Sequence, residues 1–166
     1  MPSSGDTRAH FDELVASFET AMLVTRTRQG ALRARPLTVA GLEEGSLYFS
    51  TSLEAPKVQE IEADAHVVVT FQDAKRYASV SGTARLSRDR SLVERLWKDT
   101  WKVWFPKGKD DPTLAILIVR PTAAEYWDQS GASGLRYALR SLEAYVRGEK
   151  APDGVDPGQN AKVPVG

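Results

Sequence analysis

The stretch AMLVTRTRQGALRARPLTVAGLEEGSLYFSTS, residues 21–52, decides the fold of this chain of 166 residues. Three runs rich in apolar and β-branched residues are separated by the turn sequences RQG at 28–30 and EEG at 43–45. In the third run, residues 46–51, apolar and polar side chains alternate with the two-residue period of a half-buried strand. Two consecutive hairpins predict an antiparallel meander.

Strand and helix patterns continue on both sides of the meander. Further strands are predicted over residues 66–72, 77–86 and 114–120, and residues 123–127 are predicted to continue the last of these past Pro121. Helices are predicted at the N-terminus, where Asp6 or Thr7 caps an apolar stripe from Phe11 to Met22, and over residues 55–64, 88–104 and 135–147. Because the helices do not alternate regularly with the strands, the pattern disfavours a doubly wound parallel sheet. It predicts a mainly β (α+β) fold, a small antiparallel barrel with peripheral helices.

The composition excludes several classes of protein. Lys plus Arg and Asp plus Glu are 22 each, so the formal net charge is zero, which argues against a polyanion as the main partner. The absence of cysteine excludes disulfide scaffolds, thiolate metal sites and thiol catalysis. The longest apolar run, residues 114–119, is far shorter than the ~18 residues that span a bilayer. We expect a cytoplasmic protein that binds neither nucleic acid nor membrane.

The chain divides into three predicted segments. Residues 1–5 form a flexible N-terminus, residues 6–150 form one domain, and residues 151–166, rich in proline and glycine, form an extended or disordered arm. The two histidines, His10 and His66, lie in different predicted elements without a partner at metal-ligand spacing. We therefore predict no metal site and no Ser–His–Asp site.

Polar chemistry concentrates between residues 33 and 57. Arg35 shares a strand face with the apolar Leu37, and an arginine on a covered face is costly unless an anion pairs with it. One candidate anion is a carboxylate of the chain itself, either Glu54 or Glu60.

The alternative anion is a phosphate group. Ser50, Thr51 and Ser52 end a predicted strand shortly before a predicted helix, whose N-terminus offers free N–H groups and a partial positive charge. Lys57 adds a cation in the first helical turn, and Arg35 on the neighbouring strand completes the pocket. The residues alone leave both alternatives open.

Aromatic residues form a second concentration. Trp97 and Trp101 are spaced like core residues of a helix. Trp104 and Phe105 lie at the helix end, before a polar loop, where burial within the same chain is harder. They are suited to a subunit interface or to a planar ligand.

Five motifs occur in order within residues 8–150: RARPLTV (33–39), YFSTSLEAPKVQEIEAD (48–64), SVSGTARL (79–86), WFPKGKDDP (104–112) and AEYWD (124–128). Their order and spacing resemble the general stress protein 26 branch of the pyridoxamine 5′-phosphate oxidase-like, FMN-binding split-barrel superfamily. The resemblance implies a six-stranded antiparallel split β-barrel with peripheral helices. It also implies a homodimer with FMN at the subunit interface.

The resemblance assigns roles to individual residues. Arg35 and Lys57 match the ligands of the FMN phosphate. Ser50 and Thr51 match the donors of hydroxyl and backbone N–H groups. The segment Pro36-Leu37-Thr38 matches the part of the chain that runs beside the isoalloxazine ring.

Trp104 resembles a tryptophan that approaches the flavin from the other subunit. The resemblance implies an FMN-dependent oxidoreductase with an unidentified small-molecule redox partner. No catalytic residue is assigned, because the flavin itself carries the redox chemistry. A non-catalytic stress protein that binds flavin, F420 or haem is the alternative, and a barrel for single-stranded nucleic acid is disfavoured by the zero net charge.

Two departures from the family pattern matter. Ala55-Pro56-Lys57 stands where relatives often have a second cation, which predicts weaker FMN binding. The oxidases that make pyridoxal phosphate have an Arg-x-His-Asp-Arg type signature shortly after the last-strand tryptophan, and no histidine follows His66 here. Oxidation of vitamin B6 is therefore not expected.

Overall fold

The computed structural model describes residues 4–130, 143, 146–148 and 160–165. Its helices are α1 (Ser4–Ala16), α2 (Pro56–Ala63) and α3 (Arg90–Leu96). Its strands are β1 (Thr20–Arg26), β2 (Leu32–Glu43), β3 (Ser46–Ser52), β4 (His66–Gln72), β5 (Arg76–Ser87), β6 (Leu114–Asp128) and β7 (Asn160–Val163). Two short 3-10 helices, Asp99–Val103 and Gly108–Asp110, lie between α3 and β6.

The first six strands form a closed antiparallel barrel. They pair in the order β3-β2-β1-β4-β5-β6, and an additional pairing of β3 with β6 closes the cylinder. The strand predicted over residues 114–120 does continue past Pro121 as the single strand β6, which pairs with β3 in its first part and with β7 in its second part. Strand β7 thus covers the edge of β6 that β3 leaves free. The predicted six-stranded antiparallel barrel is confirmed.

The hairpins that join β1, β2 and β3 require a left-handed backbone in their turns. Gly30 has a φ of 87°, while Glu44 and Gly45 have φ values of 47° and 77°. Two consecutive residues with positive φ are typical of the type I′ turn, whose twist matches that of the flanking strands. Glycine at position 45 adopts this conformation without the steric penalty of a β-carbon. The predicted meander is confirmed at both turns.

Two hydrophobic cores lie on opposite sides of the barrel wall. Inside the barrel, alternate residues such as Leu23, Leu37 and Phe49 are buried together. Helices α1 and α2 extend this interior core through Phe11, Leu14, Val15 and Ile61. Outside the barrel, α3 and the first 3-10 helix cover the outer face of β6, and the residues that pack there include Leu92, Val93, Leu96, Trp101, Leu114, Ile116 and Ile118.

The third helix is shorter than its aromatic spacing predicts. The prediction of one helix over residues 88–104 is wrong, because α3 ends at Leu96 and Trp97 has an extended ψ of 135°. Asp99 and Thr100, which follow, are weak helix formers. The break allows Trp101 to turn into the outer core, where it is buried and its ring lies 5.7 Å from that of Trp97.

The N-terminal helix is also shorter than predicted at its C-terminal end. It begins at Ser4, before the predicted cap residues, and ends at Ala16. The Ser17 hydroxyl donates to the Leu14 carbonyl at 2.6 Å and satisfies a free acceptor of the last turn. Met22, predicted on the helical stripe, lies instead in β1 and is 36% exposed.

The C-terminal part of the chain is described in pieces. Most of the helix predicted over residues 135–147 lies outside the described residues, although Glu143, Val146 and Arg147 are helical and Gly148 has a φ of 66°. Val163 of β7 is buried in the interior core. Among the described residues, no helix is long and apolar enough to cross a bilayer.

Gly82 lies at the closest approach between β5 and β6. The pairing register shifts there: Ser81 pairs with Ala123 and Gly82 pairs with Pro121. Thr122 of β6 is therefore left without an opposite residue in β5. A β-carbon at position 82 would lie 2.3 Å from the Arg120 carbonyl oxygen and 3.2 Å from Pro121 Cα. Both contacts are with backbone of a paired strand, so a side chain at this position forces the two strands apart.

We expect Gly82→Ala to lower the free energy of unfolding by about 2–3 kcal/mol, the usual cost of overpacking. Urea denaturation of the wild type and the variant measures the difference. Gly41→Ala is the matched control, because its β-carbon would meet Leu96 Cδ2 at an ordinary 3.6 Å. We expect that variant to stay within about 1 kcal/mol of the wild type. Equal stability of Gly82→Ala and the wild type would show that the two strands are not this close.

Candidate functional site

A buried carboxylate lies at the end of the barrel where β1 finishes and β2 begins. Glu60 of α2 is 7% exposed. Its Oε2 accepts hydrogen bonds from Thr25 Oγ1 at 2.5 Å and from Arg35 Nη2 at 2.6 Å, and its Oε1 accepts one from Arg33 Nη1 at 2.9 Å. Arg35 Nη1 also donates to the Thr25 hydroxyl. We call these four residues the Glu60 cluster.

The strand period explains why these side chains meet. Arg35 lies on the same face of β2 as Leu37, which is buried in the interior core, and Thr25 lies on the matching face of β1. Helix α2 places Ile61 in that core and the neighbouring Glu60 over the two arginines. The anion that Arg35 requires is therefore supplied within the chain by Glu60, one of the two glutamates considered from the sequence.

The surroundings of Glu60 keep its carboxyl group ionised. Burial alone raises its pKa, but the hydrogen bonds from Thr25 and Arg35, together with the charges of Arg35 and Arg33, outweigh burial and hold the pKa of Glu60 below its ordinary value. Two guanidinium groups and one carboxylate leave the Glu60 cluster with one net positive charge.

A cleft of about 420 Å³ lies on the barrel beside this cluster, and we call it the β2–β3 cleft. Its lining contains all but one of the residues predicted to bind the cofactor, namely Pro36, Leu37, Thr38, Ser50, Thr51, Lys57 and Trp104, together with Thr20, Ser52, Ala55 and Phe105. The exception is Arg35, whose side chain belongs to the Glu60 cluster.

The end of the β2–β3 cleft at α2 is suited to an oxyanion. Helix α2 begins at Pro56, and its N-cap, Ala55, provides no side-chain cap. The hydroxyl oxygen of Thr51 is buried and has no hydrogen-bond partner among the described residues. Such a group is costly unless a ligand or water satisfies it. A phosphate at this position would accept from Thr51 and from the backbone N–H of Lys57, because Pro56 has no N–H and the Val58 N–H donates to the Ala55 carbonyl at 2.9 Å.

Lys57 provides the cation of this cleft. Burial lowers the pKa of Lys57, the positive charge of Arg35 lowers it further, and the negative charge of Glu60 acts in the opposite direction. The lysine is therefore a cation that lacks sufficient negative charge around it. An anion bound in the cleft would stabilise its protonated form.

The other end of the cleft is apolar and aromatic. Phe105 is buried, whereas Trp104 is 71% exposed at the rim, next to Val103, which is 78% exposed. Two large apolar residues exposed side by side are typical of a surface that is covered in an assembly or by a ligand.

Sequence reasoning missed Thr25 of the Glu60 cluster. Thr25 had a detectable signal, because it follows Ala21 and Leu23 on the inward face of β1. Phe105, singled out with Trp104 for an interface or a planar ligand, lies in the cleft wall. The expectation that it is hard to bury within the same chain is wrong, because it is 5% exposed.

The sequence model described as pyridoxamine 5′-phosphate oxidase like matches residues 6–153. The chain belongs to the pyridoxamine 5′-phosphate oxidase-like family. It is 30% identical over 141 residues to protein bli-3 of Neurospora crassa, and the match covers 73% of this chain and 68% of that protein. It is 35% identical over 83 residues to general stress protein 26 of Bacillus subtilis, covering 46% of this chain and 57% of that protein.

Solved structures agree with this membership in the pyridoxamine 5′-phosphate oxidase-like family. A general stress FMN/FAD binding protein from Xanthomonas citri is 28% identical, with a TM-score of 0.65 over 75% of this chain and 90% of that one. A protein from Clostridium acetobutylicum related to general stress protein 26 is 22% identical, with a TM-score of 0.68 over 76% of this chain and 91% of that one. The second similarity confirms the split-barrel fold of the family.

For this family member we expect Glu60→Gln to reduce the free energy of unfolding by about 3 kcal/mol at pH 7, because two arginines lose their buried anion. The folded-state pKa of Glu60 lies below the unfolded value of about 4.3. Its contribution is therefore complete above the unfolded pKa and is lost as pH falls through the folded pKa. Denaturation curves of the wild type and the variant should therefore differ at neutral pH and converge only as pH falls below the lowered folded-state pKa of Glu60.

Glu62→Gln is the matched control on the same helix, because Glu62 is exposed. We expect that variant to match the wild type within about 0.5 kcal/mol at every pH. A loss of the same size in both variants would contradict a special role for the Glu60 carboxylate.

Proposed function

We propose that this chain binds FMN in the β2–β3 cleft and acts as an FMN-dependent oxidoreductase of the general stress protein 26 type. One observation carries the proposal. The buried, unpartnered hydroxyl of Thr51, the cation of Lys57 and the uncapped N-terminus of α2 lie together in one cleft. The FMN/FAD binding named for the Xanthomonas citri relative supports the choice of a flavin.

The phosphate end of FMN would be held by Lys57 and by the hydroxyl groups of Ser50 and Thr51. Lys57 gives a charge-assisted hydrogen bond, which is the strong kind. Arg35, the second phosphate ligand predicted from the sequence, donates once to Glu60 and once to Thr25, and it would exchange its single bond to Glu60 for one to the phosphate. Because the bond to Glu60 would be lost, a contact between Arg35 and the phosphate would add less to the free energy of FMN binding.

The ring of the flavin would lie along Pro36-Leu37-Thr38, with the aromatic wall near Trp104 on the other side. Bound FMN supplies two-electron redox chemistry at its ring N5. The lining of the cleft contains no carboxylate and no histidine among the described residues. The chain therefore orients the ring and excludes water, and no side chain is assigned a proton-transfer step.

That lining also favours a second candidate, a flavin-binding protein without turnover. The two are distinguished by incubating the FMN-loaded protein with NADH or NADPH and following flavin absorbance. Bleaching with NAD(P)H supports the oxidoreductase, and a stable flavin spectrum supports the carrier.

Oxidation of pyridoxamine phosphate is not proposed, because no histidine follows Trp127 and the signature of the oxidases that make pyridoxal phosphate is absent there. We also propose a cytoplasmic location, which rests on the sequence alone.

We expect Lys57→Gln to weaken FMN binding by about tenfold to a hundredfold, the value of one charge-assisted hydrogen bond. Quenching of flavin fluorescence measures the dissociation constant. Riboflavin, which lacks the phosphate, is the internal control, and its affinity should not change. Lys75→Gln, an exposed lysine in the turn between β4 and β5, is the matched variant and should bind FMN like the wild type. Equal losses for FMN and riboflavin would contradict the phosphate assignment.

We further propose a homodimer in which the exposed Val103 and Trp104 are covered by the second subunit, so that the FMN lies at the interface. Their exposure of 78% and 71% supports this proposal. An exposed apolar pair beside a ligand cleft is the expected composition of an interface core.

We expect Val103→Asp to convert the dimer into a monomer, because a charge would be buried at the interface. Sedimentation velocity measures the change. Leu32→Asp is the matched control, since Leu32 is another exposed apolar residue, 66% exposed, on the β1–β2 hairpin. That variant should remain dimeric. A Val103→Asp protein that sediments like the wild type would place the interface elsewhere.

A further inference from the structure

A second cleft, of about 530 Å³, lies away from the β2–β3 cleft and shares no lining residue with it. Three arginines from three different elements line it: Arg8 of α1, Arg85 of β5 and Arg120 of β6. We call it the arginine cleft. The carboxylate among its lining residues is Glu44, which is exposed in the turn between β2 and β3. The cleft therefore has an excess of positive charge, although the whole chain has none.

The two strand arginines lie next to each other on the outer face of the barrel. Arg85 is paired with Ile118, and Arg120 is paired with Thr83, so the two arginines are diagonal neighbours on adjacent strands. Diagonal neighbours in an antiparallel pair have Cα atoms roughly 7–8 Å apart, within the joint reach of long side chains. Both guanidinium groups can therefore contact one small ligand.

Neither strand arginine has a partner within the part of the chain that the structure describes, in hydrogen bonds or in ion pairs. By contrast, Arg33, Arg35 and Arg76 are bound to carboxylates. Two like charges side by side in a concave surface repel each other unless an anion lies between them.

The third arginine is held in place at the rim of the arginine cleft. Arg8 Nε donates to Asp12 Oδ1 at 2.8 Å, and its Nη1 donates to the Pro164 carbonyl at 3.2 Å. Its Nη2 lies so close to Gly45 that a β-carbon there would be 2.9 Å away. Asp12 offsets part of the charge of Arg8, so the two strand arginines carry most of the excess.

The rest of the arginine cleft adds hydroxyl donors around an apolar floor. Ser46 and Tyr48 of β3 and Thr83 of β5 lie on its walls, and Ile118 lies between them. Donors that come from three strands and a helix surround a ligand on several sides. This arrangement suits a tetrahedral oxyanion better than a planar carboxylate, which a single guanidinium fork satisfies.

We propose that the arginine cleft is a second binding site, for a small phosphorylated molecule, separate from the cofactor site. A concave surface of this size holds a small molecule, and the zero net charge of the chain gives no long-range attraction for a nucleic acid. The proposal does not depend on flavin binding, because the arginine cleft and the β2–β3 cleft use different residues.

Isothermal titration with pyrophosphate at constant ionic strength tests the proposal. The Lys57→Gln variant is titrated beside the wild type, so that binding at the β2–β3 cleft is weakened and the arginine cleft is observed alone. We expect the wild type to bind pyrophosphate in both clefts and Lys57→Gln to retain one bound pyrophosphate, in the arginine cleft. We expect Arg85→Gln combined with Arg120→Gln to weaken that binding at least tenfold. No binding in the wild type, or binding that is lost in Lys57→Gln, would overturn the proposal.

Two controls separate a built site from diffuse attraction between charges. Arg28→Gln removes one cation from the β1–β2 turn, outside the arginine cleft, and should leave the affinity unchanged. Arg85→Lys combined with Arg120→Lys keeps both charges but removes the guanidinium forks, and we expect at least a fivefold loss. Unchanged binding in the lysine variant, or an equal loss in Arg28→Gln and in the glutamine pair, would overturn the proposal. Urea denaturation confirms that each variant is folded.

Discussion

The bond between the Glu60 carboxylate and Arg35 is the constraint on which the rest of this structure depends. Arg35 lies on the covered face of β2, where an unpaired cation is strongly destabilising. Arg33 lies nearer the strand end, is 55% exposed and adds a second, more solvated bond to Glu60. Glu60 reaches them only because α2 lies across that end of the barrel. The ion pair therefore fixes the position of the helix, and the helix in turn brings its N-terminus and Lys57 to the β2–β3 cleft.

The same bond determines the electrostatics of the cleft. Arg35 is turned towards Glu60, which neutralises part of its charge, and it does not line the cleft. Lys57 is the cationic side chain in the cleft lining. Burial and the charge of Arg35 lower the pKa of Lys57, so its protonated form is less stable than in water. An anion bound beside Lys57 would restore that stability, so part of its binding energy would come from correcting this imbalance.

The elements with short-range signals were predictable from the sequence. The glycine at position 45 predicts the turn between β2 and β3, and the alternation of apolar and polar residues in β3 predicts which side chains face the core. Arg35, on the same strand face as Leu37, predicts that an anion is buried beside it. The choice between Glu60 and an external phosphate depends on where α2 packs, which is a long-range contact. The end of α3 at Leu96 was not predictable from spacing, because the core position of Trp101 fits a continuous helix equally well. The pattern of strands and helices brought Ser50, Thr51 and Lys57 together in one predicted pocket, whereas the roles of Pro36-Leu37-Thr38 followed from the family motifs.

The distribution of charge explains why a neutral total says little about anion binding. In the Glu60 cluster, opposite charges are paired inside the barrel, where they stabilise the fold. On the outer face of β3, successive outward residues line different clefts, with Tyr48 at the arginine cleft and Ser50 at the β2–β3 cleft. A zero sum weakens long-range attraction, which a polyanion partner needs. A zero net charge has little effect on the binding of a small anion, because that binding depends on unpaired cations within a few ångströms of the anion. The internal carboxylate pairs with arginines at the barrel end, while Lys57, Arg85 and Arg120 have no ion-pair partner among the described residues. A neutral composition is therefore compatible with a paired core and with locally cationic clefts.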